Sequence, residues 1–248
     1  MSFNLVGSLS AILTAAALVS AAAAADDKAA GDQVDLFQAI DDGQIEARLI
    51  LKDAKKGNLL IKNNGKQPLQ IRMPEGFAGK PVLAQLGGIA GPGLGGLAGG
   101  QGGLNQGVGG VMPGGVGGGL FNVPPEQLKK VPVAVVCLEH GKRDPNPRVK
   151  YAIIPMEQYT DDSRVHEMLR LFNSGKLSQR AVQVAAWHLA SGMSFQELAA
   201  KTLDYANGTK KPYFSRAELE AGYQIASTAT QRAKEKQQTQ QSVSSSDR

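Results

Sequence analysis

Apolar and polar residues alternate along Gln44–Lys52 and again along Leu69–Met73, and Leu59–Lys62 begins another apolar segment between them. A period of two residues is typical of a strand with one face buried and the other in water. A turn is predicted at Asp53–Gly57, and the pair Asn64-Gly65 favours a two-residue hairpin turn. The pattern therefore predicts three antiparallel strands, the last two paired as a hairpin.

Two more strands are predicted beyond a long glycine-rich stretch. Val131–Leu138 is apolar on both faces, as expected of a central strand, and Val149–Ile154 follows a turn at Pro145–Pro147. Turns rather than helices connect these segments. The pattern therefore predicts an antiparallel β-sandwich of the immunoglobulin-like type over residues 26–160.

The spacing of apolar residues changes to a helical period from residue 161 onwards. Asp161 and Asp162 are placed to cap a helix that reaches Phe172, a simpler role than that of a catalytic carboxylate pair. The segment Gln179–Ser191 has a narrow polar stripe. We therefore expect it to be the central, mostly buried helix.

Two capping boxes mark the remaining helices. Ser194–Glu197 opens a helix expected to reach Tyr205, and Ser215–Glu218 opens a fourth helix that gives way to a Gln/Ser-rich tail. The predicted fold class is α+β. The immunoglobulin-like sandwich is followed by a small helical bundle over residues 161–233 and by a disordered tail over residues 234–248.

Glycine makes up 18 of the 33 residues of Gly87–Gly119, and residues 81–125 carry no charge. The tract has no Gly-X-Y period and no Gly-Lys-Ser or Gly-Lys-Thr phosphate loop. We expect a flexible loop inserted in the sandwich and dispensable for folding. Its scattered apolar residues are expected to contact a partner or a second copy rather than a core: Leu94, Leu97, Leu104, Val108, Val111 and Met112.

The N-terminal residues have the pattern of an export signal. Leu5–Ala25 carries no charge, places Ala23 and Ala25 at positions −3 and −1, and ends before Asp26. Residues 1–25 are therefore predicted to be a cleaved signal peptide, and the protein to be periplasmic, secreted or on the cell surface. The alternative is a retained anchor, since the run is long enough to span a bilayer. After cleavage no stable membrane span is expected.

The order of these segments resembles a group of exported bacterial proteins of uncharacterised function. The resemblance rests on GNLLIKNNGKQPLQIRMPEG, VPVAVVCLEHGKRDPNPRVKY and SQRAVQVAAWHLASGMSFQEL, and covers roughly residues 45–80 and 120–205. In that group a small immunoglobulin-like sandwich precedes a short helical domain with an Ala-Val-Gln-x-Ala-x-Trp helix. The resemblance implies export and this fold, and it implies no activity, cofactor or catalytic residue.

Cys137, Glu139 and His140 are the strongest candidates for chemistry. A thiol and an imidazole three residues apart can supply a nucleophile and a base, or two metal ligands. In an extended strand, residues i and i+3 point to opposite faces, so the pair meets only if the strand ends between them. Alternation with Val133 and Val135 instead predicts that Cys137 is a core thiol.

A basic loop surrounds the turn Asp144–Pro147 and consists of Lys142, Arg143, Arg148 and Lys150. Together with Lys129-Lys130 it could bind an anionic surface polymer or a phosphate group, and the alternative is a solvated loop. Nucleic acid is not expected as a partner. No aromatic residues interleave with these charges, and the chain is predicted to be exported.

Composition narrows the function further. The chain has 248 residues, a net charge of +5 and one cysteine, which excludes a disulfide framework and multi-cysteine metal sites. A metal site at Cys137–His140 would also need His166 or His188 and a carboxylate from the helices. We predict no metal and no cofactor.

Three functional hypotheses stay open. The first is an exported, non-enzymatic envelope or secreted protein with a structural or interaction role, whose partner is another envelope protein or an anionic surface polymer. The second is a hydrolase or metal-dependent enzyme centred on Cys137, Glu139 and His140. The third is an adhesin-like binder that uses the glycine tract or the basic loop 142–150.

Overall fold

The computed structural model describes residues 32–82, 105–112 and 119–246. The strands are β1 (Asp32–Asp35), β2 (Ile45–Leu51), β3 (Lys56–Asn63), β4 (Leu69–Arg72), β5 (Phe77–Pro81), β6 (Val108–Val111), β7 (Leu120–Val123), β8 (Leu128–Cys137), β9 (Tyr151–Pro155), β10 (Thr202–Asp204) and β11 (Lys210–Pro212). The helices are α1 (Leu36–Asp41), α2 (Ser163–Asn173), α3 (Gln179–Ser191), α4 (Phe195–Ala200) and α5 (Arg216–Ser246), with a 3-10 turn at Met156–Gln158. The predicted signal peptide, residues 1–25, and most of the glycine tract lie outside the described residues.

Six antiparallel strands close into a barrel in the order β2-β3-β8-β6-β5-β9. The ring closes because β9 pairs with β5 on one side and with β2 on the other, through Leu49↔Tyr151. The α+β class holds broadly, but the prediction of an immunoglobulin-like sandwich with a glycine-rich loop insertion is wrong. A sandwich would leave the edges of two sheets open, whereas closure of one sheet removes them.

The strand that completes the barrel comes from the glycine tract. β6 pairs with β5 through Gly79↔Val108 and with β8 through Val108↔Cys137. Val108 and Val111 are buried, so the expectation that they stay outside any core is wrong. The same holds for Met112, which packs against the barrel core. The expected partner contacts of the other three apolar residues fall outside the described part of the chain: Leu94, Leu97 and Leu104.

Glycine suits β6 because the barrel wall is crowded there. A Cβ at Gly110 would overlap the ring of Phe77, and a Cβ at Gly109 would lie 2.9 Å from Leu169 Cδ2 on α2. The two glycines let Phe77 fill the barrel and let Leu169 lie on its outer wall. A low-complexity composition here encodes a packed strand.

A second sheet, ordered β1-β4-β7, contains the segment Leu69–Met73 that the pattern predicts as a hairpin return. β3 already has β2 and β8 as neighbours, and β4 pairs instead with β1 and β7. The Asn63 amide donates hydrogen bonds to the carbonyls of Gln67, at 2.8 Å, and Val123, at 3.0 Å. These bonds turn the chain into the second sheet, so the Asn64-Gly65 hairpin prediction is wrong.

Two hydrophobic cores lie on opposite sides of the barrel wall. Val133, Val135 and Cys137 of β8 belong to the cluster that includes the barrel interior. Val136 of β8 and Leu138, which follows the strand, belong to a cluster shared with α2, α3 and α5. β8 also lies between β3 and β6. The prediction of a central strand that is apolar on both faces is confirmed.

Small residues bring α3 and α5 into close contact. α3 coincides with the predicted Gln179–Ser191 and is mostly buried, which confirms its prediction as a central helix. On α5, Gly222 lies so near α3 that a Cβ would overlap Val184. Ala226, Ala229 and Ala233 continue this buried stripe.

Two helices differ in length from their prediction, although both capping boxes are present. α4 ends at Ala200 rather than Tyr205, and the chain continues into β10. α5 runs to Ser246 and so includes residues 234–246, where the sequence pattern predicts a disordered tail. On this extension Lys236 pairs with the buried carboxylate of Glu167 at 2.7 Å, which Arg170 also contacts at 2.7 Å.

Candidate functional site

Cys137 ends β8 with a buried thiol, as its alternation with Val133 and Val135 predicts. It is 1 % exposed, and Sγ lies 4.0 Å from the carbonyl oxygen of Ala54. Gln183 on α3 accepts a hydrogen bond from the Cys137 N–H and donates one to its carbonyl, both at 2.8 Å. Burial raises the pKa of the thiol well above its ordinary value. At neutral pH the reactive thiolate therefore does not form.

Glu139 has a separate set of partners. Its carboxylate accepts a 2.7 Å hydrogen bond from the Gly107 N–H and pairs with Lys142. The Tyr159 hydroxyl also donates a hydrogen bond to this carboxylate. Burial raises the pKa of Tyr159, and the charge of Glu139 raises that pKa further. The carboxylate is therefore anchored between the loop after β8 and the start of β6.

A cavity of about 410 Å³ lies beside Glu139. Lys80, Glu139 and Tyr159 are among its polar lining residues, and Leu138 and Ile154 among its apolar ones. Neither the thiol nor the imidazole of the predicted cluster belongs to its described lining. The cavity offers two carboxylates, those of Glu139 and Asp162, and the ammonium group of Lys80.

His140 lies in the loop after β8 and packs on Trp187, with ring centroids 4.7 Å apart and an interplanar angle of 76°. Its Nε2 accepts a hydrogen bond from the Lys201 ammonium at 3.0 Å, which requires a neutral imidazole. Its backbone N–H donates to Ser191 Oγ at 2.9 Å. Burial, helped by the charge of Lys201, lowers the pKa of His140. The structure therefore does not bring Cys137, Glu139 and His140 together.

The metal alternative meets the same obstacle. His166 Nε2 donates to the carbonyl of Thr160, and His188 Nδ1 to that of Met193, each at 2.7 Å. In the part of the chain that the structure describes, no three His, Cys, Asp or Glu side chains lie close enough to hold a metal ion.

An aromatic–cation cluster is centred on Trp187 and also contains Lys201, Tyr213, Phe214 and Arg180. Lys201 Nζ lies 5.5 Å from the Trp187 ring centroid and 5.2 Å from that of Tyr213. The Arg180 guanidinium lies 5.2 Å from the Tyr213 ring centroid and pairs with Glu218 at 2.6 Å. Cations over ring faces are attracted by the ring quadrupole. The cluster therefore fixes both ends of the segment 201–213, which the sequence pattern assigns in part to a helix.

Antiparallel pairing gathers basic residues at one end of the barrel. Because β3 and β8 are antiparallel, the β2–β3 turn lies beside the end of β8, and the Val135 N–H donates to the Lys55 carbonyl at 2.9 Å. The end of β5 lies there too, since Pro81 pairs with Tyr151. We call this surface the basic end, and it consists of Lys52, Lys55, Lys56, Lys80, Lys142, Arg143, Arg148 and Lys150.

The carboxylates in the same segments are already hydrogen-bonded. Asp53 Oδ1 accepts from the backbone N–H groups of Lys55, at 2.8 Å, and Lys56, at 3.0 Å. Asp144 Oδ1 accepts from the Gln106 amide at 2.8 Å, and Glu139 is held by Gly107 and Lys142. Within residues 32–82, 105–112 and 119–246, ion pairs are absent from the following exposed side chains of the basic end: Arg143, Arg148 and Lys150.

The sequence pattern predicts half of this surface. It predicts the basic loop 142–150 but groups it with Lys129-Lys130, which lie near the start of β8, at the opposite end of the barrel. From Lys130 to Cys137 the strand rises about 3.3 Å a residue, which separates the two sites by about 20 Å. The other cations come from the β2–β3 turn and from Lys80. The turn was visible in the sequence, but the β3–β8 pairing that places it here was not.

Within the described residues, every helix is too short or too polar to cross a bilayer. Comparisons of the chain with protein-family models, with curated proteins and with solved structures found no match in any of the three. The resemblance to exported bacterial proteins therefore stays a prediction.

Proposed function

We propose that this chain is an exported, non-enzymatic protein that binds an anionic surface polymer through the basic end of its barrel. The observation that carries the proposal is charge: eight Lys and Arg residues share these segments with three acidic residues. All three carboxylates are already hydrogen-bonded. A surface with an excess of positive charge attracts a polyanion over long range, and salt screens the attraction.

The distribution of the cations favours a polymer over a small anion. They are spread over the β2–β3 turn, the end of β5 and the loop 142–150, and do not converge on one cavity. The cavity beside Glu139 carries two carboxylates, Glu139 and Asp162, which repel an anion. A polymer can contact several separate cations at once, and each contact adds a modest energy.

The hydrolase hypothesis is less well supported. It needs a thiolate next to a base, whereas the Cys137 thiol lies in the barrel core and His140 contacts Trp187 and Lys201. Burial raises the pKa of Cys137, so the thiol keeps its proton. The interaction and adhesin-like hypotheses, by contrast, both allow binding through the basic loop.

The test compares two triple variants that lose the same charge. The first replaces basic-end residues: Arg143→Gln, Arg148→Gln and Lys150→Gln. The second replaces exposed lysines at the opposite end of the barrel: Lys62→Gln, Lys66→Gln and Lys130→Gln. Binding of the full-length protein to fluorescent polygalacturonate and to fluorescent polyphosphate is measured by anisotropy at several salt concentrations.

We expect the basic-end variant to lose about tenfold in affinity at low salt, which corresponds to about 1.4 kcal/mol. Its affinity should also depend less steeply on salt than that of the parent. The opposite-end variant should change less than threefold. Equal losses in the two variants would mean that net charge alone attracts the polymers, and the proposal would be abandoned. No binding by the parent protein would have the same consequence.

A further inference from the structure

Residues 202–212 form a two-stranded ribbon that projects from the fold. β10 and β11 pair with each other and, in the described part of the chain, with no other strand. Every residue from Thr202 to Pro212 is exposed. The turn between the strands contains Gly208 at φ +79, a conformation that favours glycine.

The ribbon is nevertheless held firmly at its base. The Tyr213 N–H donates to the Lys201 carbonyl at 2.8 Å, which closes the ribbon where it leaves the protein. Tyr213 packs on Trp187 with ring centroids 5.5 Å apart, and on Phe214 at 4.7 Å. The aromatic–cation cluster therefore presents the ribbon from a fixed position.

One face of the ribbon is apolar and cationic. Leu203 and Tyr205 stand two residues apart and so share a face, which also carries Lys211, the register partner of Leu203. Leu203 is 40 % exposed and Tyr205 is 47 % exposed. Lys211 Nζ lies 5.6 Å from the centroid of the Tyr205 ring. The face therefore presents a half-exposed aromatic ring with an ammonium group beside it.

The edges of the ribbon are poor sites for strand addition. Both strands have three residues, and β11 consists of Lys210, Lys211 and Pro212. Short strands, lysines and proline all weaken pairing along a sheet edge. A partner is therefore expected on the Leu203–Tyr205–Lys211 face.

The ribbon is continuous with the basic end. At its base Lys201 contacts His140, which belongs to the loop that carries Lys142 and Arg143. The ribbon holds Lys210 and Lys211 against one acidic residue, Asp204, which pairs with Lys210 at 3.9 Å, and Lys201 adds a cation at its base. Its charge therefore complements the same anionic partner.

We propose that the Leu203–Tyr205–Lys211 face binds a sugar ring of an anionic polysaccharide, the polymer that also contacts the basic end. The inference rests on the proposed function and adds the chemical class of the polymer. The C–H groups of a sugar ring pack on a phenol ring, and its carboxylate or phosphate group pairs with a lysine beside that ring. A polyanion without rings gains nothing from an exposed Tyr205. Single-stranded nucleic acid is disfavoured because successive bases stack on several aromatics, and the ribbon has one.

The experiment uses the full-length protein and three polymers of equal charge: polygalacturonate, which has sugar rings, polyphosphate, which has none, and oligothymidylate. The test variant is Tyr205→Ala, and Tyr205→Phe keeps the ring. The matched control is Tyr223→Ala on α5, because Tyr223 is 52 % exposed and lies on another element. Far-ultraviolet circular dichroism and thermal unfolding show whether each variant is folded.

We expect Tyr205→Ala to weaken polygalacturonate binding about tenfold and to leave polyphosphate binding unchanged. Tyr205→Phe and Tyr223→Ala should both bind like the parent. If Tyr205→Ala changes neither polymer, or changes both equally, the ribbon does not bind a sugar ring, while the proposed function stands. If oligothymidylate binding depends on Tyr205 as strongly as polygalacturonate binding, the ligand class is wrong. If the parent binds no polymer, both proposals are overturned.

Discussion

Strand β6 and the ribbon β10–β11 are both short antiparallel segments, and they have opposite environments. β6 reads Val-Gly-Gly-Val inside a glycine tract, yet all four of its residues are buried. The ribbon carries Leu203 and Tyr205, yet all of its residues are exposed. The difference lies in their partners, since β6 has a strand on each side and the ribbon strands have only each other among the described residues. In these two segments, the number of neighbouring strands determines burial more than the amino-acid composition does.

The largest expected effect tests the packing of β6. Gly110→Val should lower the free energy of unfolding by about 3 kcal/mol, because the new side chain overlaps the Phe77 ring inside a closed barrel. The ribbon control is Thr209→Val, which introduces the same side chain at an exposed position and should change stability by less than about 0.5 kcal/mol. Urea unfolding measures both. Equal stabilities would show that β6 is as loosely held as the ribbon.

The next effect concerns Cys137, the register partner of Val108 on β6. Cys137→Ala should lower the free energy of unfolding by about 1 kcal/mol. Cys137→Ser should be at least as damaging, because it buries an additional hydroxyl group. In the native protein a thiol reagent should label Cys137 slowly and a cysteine introduced by Thr209→Cys on the ribbon quickly. Comparable labelling rates would contradict the burial of the thiol.

The buried thiol of Cys137 should also make the folded protein less stable at alkaline pH. Burial raises the pKa of Cys137 above its ordinary value of 9.0, so the folded state keeps a proton that the unfolded chain releases. Stability is therefore full below pH 9.0 and falls as pH rises beyond it, by at most about 1.4 kcal/mol a unit. Cys137→Ala should remove this slope between pH 9 and 10. Above pH 10 Tyr151 and Tyr159 should cause a further loss of stability, since burial raises the pKa of both from 10.0.

Some elements of the fold follow from local sequence patterns, and others depend on distant residues. α3 follows from local spacing and β8 from a run of apolar residues, and both lie where the pattern places them. β6 does not, because its burial depends on Phe77 and Leu169, which are distant in sequence. The ribbon was hidden by the helical spacing and capping box of α4, which stops at Ala200. Local signals predicted individual elements, and pairing between distant segments decided the topology.

The candidate site divides in the same way. The alternation of Cys137 with Val133 and Val135 predicted a buried thiol from three neighbouring residues. The basic end required the β3–β8 pairing, which no local signal contains. Tyr205 was within reach of sequence reasoning, since Asn207-Gly208 favours a hairpin turn just after it.

The smallest expected effect lies at the base of the ribbon, where it meets the barrel. Burial and the Lys201 charge lower the pKa of His140, while Glu197 on α4 acts weakly in the opposite direction. Lys201→Met removes the charge that lies 3.0 Å from Nε2, so the pKa of His140 should rise towards 6.5. Lys210→Met, farther along the ribbon, should leave it unchanged. NMR titration of the His140 ring measures both variants.

The lowered pKa of His140 should also make the folded protein less stable at acid pH. Because the pKa of His140 is lower in the folded state, the unfolded chain takes up a proton first as the pH falls below 6.5. Stability is then lost in that range, and protonated His140 can no longer accept the Lys201 hydrogen bond. Lys201→Met should weaken this loss, and Lys210→Met should preserve it. If both variants titrate like the parent, His140 does not contact Lys201 in solution, and the ribbon is not fixed to the barrel at this point.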